Sequence, residues 1–206
     1  MSELDLRQAS PREAYGLLTH LVGPRPIALV SSLDSDGRRN LAPFSFFMQG
    51  GFNPPSCVFC PVNDREGAAK DTLLNVRDTG EYVINVCTRP MAEQINQCSY
   101  PYERGDDEFA RSGLTPAAGS AVAPPLVAES PVSLECELFQ VLEHGGGPLA
   151  SNYVVGQILV AHVDDRLLVE GAPDSGRVGF ISRLGGDLYA EVTPESLFSL
   201  GRPTSP

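Results

Sequence analysis

With 206 residues, 42% of them hydrophobic and 20% charged, the chain has the make-up of a folded protein and is long enough to bury a core as a single domain. A formal net charge of −11 argues against contact with a phosphate backbone, which depends on lysine and arginine, so no nucleic-acid partner is expected. No apolar run approaches the ~20 residues that cross a bilayer, and the charged opening MSELDLRQASPREA lacks the apolar core of a secretory signal, so no membrane and a cytoplasmic location are expected.

The first element is a short helix over Pro11–Leu21, with Ser10 as N-cap, proline at the first helical position and Glu13 completing a capping box. Beyond Gly23-Pro24 the pattern changes to strands. Pro26–Leu33 is apolar and β-branched, Asp34-Ser35-Asp36-Gly37 signals a turn, and a second extended run starts at Arg39, which together predict a hairpin. Further strands are predicted over Ser56–Val62, Glu81–Thr88, Val132–Glu143 and Tyr153–Asp164, and short helices over Asp71–Asp78 and Pro90–Cys98. Pro101–Pro125 reads as a long excursion, too polar and rich in proline for a core, of the kind that is functional or lies against a partner subunit. The 20 glycines and 18 prolines are spread between strands, as in a barrel with decorated loops.

Five cysteines without an export signal suggest reduced thiols rather than a disulfide framework. Cys57 and Cys60 form a CxxC, but strand alternation would point them to opposite faces, and no second pair or nearby histidine completes a metal set. His20, His144 and His162 share no ligand spacing and read as surface or strand-end residues; no metal site is predicted.

Lys70, Asp71 and Thr72 stand where a helix begins. Free backbone N–H groups, the helix dipole, the Thr72 hydroxyl and the Lys70 ammonium suit an anion there, and they equally suit an ordinary helix start. Phe44, Phe46 and Phe47 around Ser45 suit either a wall for a flat aromatic ring or plain core packing. Arg65 is a further phosphate ligand or a solvated loop residue.

Taken in order, RPIALVSS from Arg25, NLAPFSFF from Asn40, NPP from Asn53 and KDTLLN from Lys70 resemble the flavin reductase-like, FMN-binding split-barrel family, which includes flavoredoxin-type proteins and reductase components of two-component monooxygenases. Later stretches from Ala128 to Cys136 and from Arg183 to Tyr189 extend the resemblance to about residues 20–190. It implies a mainly β fold, an FMN-binding split β-barrel of Greek-key type with a few short helices. It implies FMN as cofactor, with NADH or NADPH as hydride donor, a homodimer whose flavins touch both chains, and a monooxygenase or electron-transfer partner.

It also implies a binding set: Asn40, Ala42, Pro43, Ser45, Phe46, Phe47 and Met48 along the flavin, Ser31 and Ser32 on the neighbouring strand lining the same pocket, and Lys70, Asp71 and Thr72 at the phosphate. No side chain is assigned acid or base work, because the flavin carries the chemistry. Two stretches depart from the family pattern. Met48-Gln49-Gly50-Gly51-Phe52 replaces a run of Asn followed by small and hydroxyl residues, leaving backbone groups to bond the flavin. Leu149-Ala150-Ser151-Asn152-Tyr153 stands where short flavin reductases carry Gly-Asp-His near the nicotinamide. Both departures favour the alternative of an FMN-binding electron carrier reduced by a protein partner.

Overall fold

The computed structural model describes residues 1–204. Seven strands form one antiparallel sheet: β1 (Ala28–Leu33), β2 (Arg39–Phe44), β3 (Phe47–Phe52), β4 (Pro55–Phe59), β5 (Glu81–Val86), β6 (Val132–His144) and β7 (Ser151–Val163). Their spatial order is β2-β1-β5-β6-β7-β4-β3. Strands β2 and β3 are consecutive in the chain yet occupy opposite edges. A flat seven-stranded sheet would set its edges about 29 Å apart, whereas Ser45 and Phe46 let Phe44 and Phe47 separate by no more than about 11 Å. The sheet must therefore roll up, and the mainly β split-barrel architecture follows.

The interior of the roll holds Val30, Cys57, Phe59, Tyr82, Ile84, Cys136 and Val154, plugged by Leu73 and Val76 of helix α2 (Asp71–Thr79). Gly156 on β7 leaves room for Tyr82, since a Cβ at this position would lie 1.9 Å from the phenol oxygen. The other face of β1 is buried as well. Ile27, Leu29 and Leu41 join Met91, Ile95, Phe109 and Leu114 in a second core beneath α3 (Ala92–Gln97) and α4 (Glu108–Ser112). Burial on both faces explains the unbroken apolar run that the sequence shows there.

Local signals were accurate. Helix α1 (Pro11–Leu21) has the expected capping box between Ser10 and Glu13. The turn after β1 is held by Asp34, whose carboxylate accepts the N–H groups of Asp36 and Arg38 at 2.9 Å each. The segment predicted as one helix over Pro90–Cys98 divides into a 3-10 turn at Arg89–Met91 and α3. A small sheet joining Arg25–Pro26, Ile181–Arg183 and Tyr189–Glu191 has no counterpart in the sequence expectation. No helix among the described residues is long and apolar enough to cross a membrane.

The Pro101–Pro125 excursion requires correction. It is not excluded from the core: Phe109 and Leu114 are 2% and 3% exposed, and α4 is a capped helix with Asp107 accepting the Phe109 N–H. The segment is strapped onto its own barrel. Fully buried Glu135 on β6 accepts the N–H groups of Ser120, Ala121 and Val122 at 2.7–2.9 Å, together with the Ser120 hydroxyl. His162, read from sequence as a surface or strand-end residue, sits near the end of β7 with its imidazole on the same carboxylate. All five cysteines are free and buried, and Cys57 lies within 3.6 Å of the Tyr82 hydroxyl.

Burial alone would push the Glu135 carboxyl up, but the His162 contact and the three backbone N–H groups outweigh it and bring the value down to about 2. Because the folded value lies below the ordinary ~4.3 of an unfolded glutamate, the group adds stability in full above that pH and loses it as pH falls toward about 2. Glu135→Gln is expected to cost about 2–4 kcal/mol at neutral pH and to flatten the acid side of the stability curve, both measurable by urea unfolding between pH 3 and 7.

Candidate functional site

Helix α2 starts beside the edge strand β2 because its apolar side, Leu73 and Val76, is drawn into the barrel. Its N-terminus is left open. Lys70 occupies the N-cap in extended conformation and makes no capping hydrogen bond, and among the described residues the N–H groups of Asp71 and Thr72 have no acceptor. The Lys70 side chain is exposed and forms no ion pair among those residues. Two open N–H groups, the positive end of a nine-residue helix and an uncommitted ammonium are chemically suited to an anion.

A cleft of about 370 Å³ opens onto this end. It is lined by β2, through Asn40, Ala42, Pro43 and Phe44, by Ala69 to Thr72, and by Tyr100 with Tyr102, Arg104 and Glu108 of the strap. The volume is within the ~300–1,000 Å³ of small-molecule sites. A hollow of about 460 Å³ lies elsewhere, lined by Arg89, Glu93, Asn96, Tyr189 and Glu191. It is larger, but neither Lys70 nor the start of α2 lines it.

The cleft's polar wall is held by a chain of side-chain hydrogen bonds. Asn40 Nδ2 donates to Thr72 Oγ1 at 2.8 Å and lies 3.4 Å from Ser32 Oγ, which also accepts from Asn75 Nδ2 at 3.1 Å. Thr72 is 1% exposed, and since its oxygen accepts from Asn40, its own hydrogen is left to donate elsewhere. Burial pushes the Glu108 carboxyl above the usual range, while one of its oxygens accepts the Leu41 N–H at 3.0 Å.

Of the residues singled out from sequence, Asn40, Ala42, Pro43, Lys70, Asp71 and Thr72 converge on this cleft. Ser31 and Ser32 do not line it. Both are fully buried; Ser31 donates to the Pro125 carbonyl at the end of the strap, and Ser32 stands one layer behind Asn40. Ser45 and Phe46 form the link between the sheet edges, with the Phe46 ring 6.2 Å from Tyr15 and 5.8 Å from the Arg25 guanidinium. Phe44 lines the cleft and packs on Phe59 at 5.3 Å; Phe47 packs on the barrel core; Met48 points outward, 59% exposed. Arg65 is exposed and does not line the cleft, although its neighbour Asp64 does. The sequence reading missed Tyr100, Tyr102, Arg104 and Glu108. The length of the excursion marked it as functional or as lying against a partner subunit, but did not single out any residue in it.

Residues 23–173 match the model of the flavin reductase like domain. The chain belongs to that family. A protein of Halalkalibacterium halodurans is 34% identical over 197 residues, 95% of this chain and 93% of the relative. Among solved structures, nitrilotriacetate monooxygenase component B from Bacillus cereus superposes with a TM-score of 0.90 at 29% identity, covering 97% of this chain and 98% of the other. The 2-nitrobenzoate 2-nitroreductase NbaA of Pseudomonas fluorescens gives 0.87 at 28%, covering 98% and 97%. Membership assigns the chain to flavin-linked redox chemistry with a flavin cofactor, and the anion end with its adjoining cleft fits a flavin that carries phosphate.

Asn40→Ala would leave the Thr72 hydroxyl without its buried donor. A loss of about 1–2 kcal/mol in unfolding free energy is expected, with α2 losing hydrogen-exchange protection first at its N-terminal turn.

Proposed function

We propose that the chain is an FMN-binding NAD(P)H:flavin oxidoreductase, acting in the cytoplasm as a single-domain subunit of a homodimer and passing electrons to a monooxygenase or another electron-transfer partner. The observation that carries this reading is the uncapped start of α2, where Lys70, two free N–H groups and the Thr72 hydroxyl meet in the lining of a cleft. These groups bind the terminal phosphate. Ala42, Pro43 and Phe44 supply an apolar wall that keeps water from one side of the ligand, while Asn40 holds the Thr72 hydroxyl in place. Bound FMN supplies the hydride-accepting ring. No side chain is required as acid or base, so the chain's contribution is position, polarity and exclusion of water.

One observation favours the carrier reading. Within the stretch that replaces Gly-Asp-His, Asn152 is turned inward and spent on structure, donating to the Pro61 carbonyl at 3.1 Å and to Asn63 Oδ1 at 2.9 Å. This hairpin end braces the loop that leads to Lys70 rather than offering a polar group to a nicotinamide. Reduction of the FMN-loaded protein by NADH or NADPH, followed by bleaching of the flavin absorption, separates the two: reduction within seconds supports the oxidoreductase, and a spectrum unchanged over minutes supports the carrier.

The homodimer is supported by the outer face of the sheet. Met48, Val58 and Val155 are register partners across β3, β4 and β7, and Tyr153 pairs with Leu142 on β6, so all five share the side opposite the barrel interior. Met48 and Leu142 are 59% and 55% exposed, and bulged Phe139 is 76% exposed. An apolar surface of this kind suits a second copy of the chain. Sedimentation equilibrium is expected to give twice the 22.0 kDa chain mass, and Leu142→Lys to shift it toward the monomer.

The phosphate assignment is tested by titration. FMN is expected to bind in preference to FAD. Lys70→Ala should weaken FMN by about 1.5–3 kcal/mol, the range for one charge-assisted hydrogen bond, and leave riboflavin nearly unchanged. An equal loss for both flavins would remove Lys70 from the phosphate.

A further inference from the structure

The part of the strap that faces the cleft is built around one arginine. Its turn is closed by Asp106 N–H on the Glu103 carbonyl at 3.1 Å, with Gly105 at φ +92°, a conformation that side-chain-bearing residues rarely adopt. Just beyond the turn the strap is pinned to β2, by Asp107 on Arg39 and by Glu108 on the Leu41 N–H. The pinned turn aims Arg104 at the open start of α2. One guanidinium nitrogen lies 2.8 Å from Asp71 Oδ1 and the other 3.4 Å from Asn75 Oδ1.

Arg104 forms a partition. With Asn40 and Asp71 it lines both the main cleft and a narrow crevice behind it, which also holds Asp34, Arg38, Arg39 and Asp106. On the cleft side the charged neighbours are Asp64, Lys70 and Glu108. Asp71 favours the helix dipole, yet it is also a negative charge beside the N–H groups where an anion would sit. A phosphate arriving at this end therefore meets a carboxylate of its own sign, and the carboxylate already holds the nearest guanidinium.

We infer that Arg104 is a second phosphate-binding cation of this site, kept in reserve on Asp71 and handed to the terminal phosphate when a flavin mononucleotide binds. The inference rests on the phosphate reading of the α2 start. The Arg104–Asp71 pair is 42% and 32% exposed, and a pair so open to water contributes little by itself. A phosphate dianion offers the planar guanidinium a stronger, two-pronged partner. The transfer needs only rotation of the side chain, because the partition already borders the cleft. It gives the strap a role at this mouth: the site is completed by charge from a segment 33 residues away in sequence.

The alternative is a brace, in which Arg104 only ties the strap to α2. The two readings differ in sign. If Arg104 is held in reserve, Arg104→Met should weaken FMN by about 10- to 100-fold with riboflavin changed less than about twofold, whereas Asp71→Asn should leave FMN affinity equal or tighter by releasing the guanidinium. If it is a brace, both substitutions break the same contact and shift FMN and riboflavin in the same direction. Titration by quenching of flavin fluorescence, with far-UV circular dichroism to confirm folding, reads all of these. A parallel weakening of FMN by Arg104→Met and Asp71→Asn overturns the inference, and so does an FMN-selective loss in Lys70→Ala that is missing in Arg104→Met. Should Lys70→Ala also fail to separate FMN from riboflavin, the phosphate reading itself falls, a result distinct from failure of the Arg104 step alone.

Discussion

Everything at the site depends on the shortness of the link between β2 and β3. Two residues, Ser45 and Phe46, join strands at opposite edges of a seven-stranded sheet, and only a rolled sheet lets them do so. Closure creates an interior, and α2 fills it with Leu73 and Val76. Once those side chains are buried, the start of the same helix has to emerge beside Asn40 on the edge strand. The open N–H groups of Asp71 and Thr72 thus come to rest at the barrel's mouth as a consequence of packing.

The buried polar groups settle how the outer segments lie on this barrel. Glu135 occupies a position fully buried behind β6, where an unpaired carboxylate would be costly, and the strap satisfies it with three consecutive N–H groups. Asn85 does similar work nearby: its carbonyl accepts from Val127 N–H at 2.9 Å and from the Ser133 hydroxyl at 2.7 Å, while its amide reaches the Leu29 carbonyl. Arg25 is 8% exposed and faces carbonyls in place of a carboxylate, with Thr19, Val22 and Leu184 at 2.6–3.0 Å. These carbonyls belong to the end of α1 and to the chain after Arg183, so one side chain ties the N-terminal helix to the small sheet. Among the described residues its Nε has no hydrogen-bond partner, and the Phe46 ring lies 5.8 Å from the guanidinium.

The same logic separates residues that line the cleft from those that place them. Asn75, Ser32 and Asn40 form a line of amides and a hydroxyl ending on Thr72, and only Asn40 and Thr72 reach the cleft. Ser32 matters because it is one of the two partners that orient Asn40. Likewise the β6–β7 hairpin end, through Asn152 and the Gly147 carbonyl on Asn63, steadies the loop that carries Lys70 without lining the site. A polar strand residue in this fold is thus as apt to brace as to bind.

Short-range chemistry was legible in the sequence alone. The capping box of α1, the Asp34 turn, the extended runs of β6 and β7 and the helical start at Asp71 each depend on residues a few positions apart, and each is present. Ordered motifs from Arg25 to Asn75 carried the family and the start of α2, because those residues form one contiguous stretch around the first hairpin. What the sequence could not decide was which side of a doubly buried strand a residue faces, so Ser31 and Ser32 could not be told from cleft residues. It could not place Arg104 or Glu108 either. Their partners are Asp71 and Leu41, 33 and 67 residues away. Local propensity carries no information across such separations, and only closure of the barrel, with the strap drawn over it by Glu135, brings those groups together.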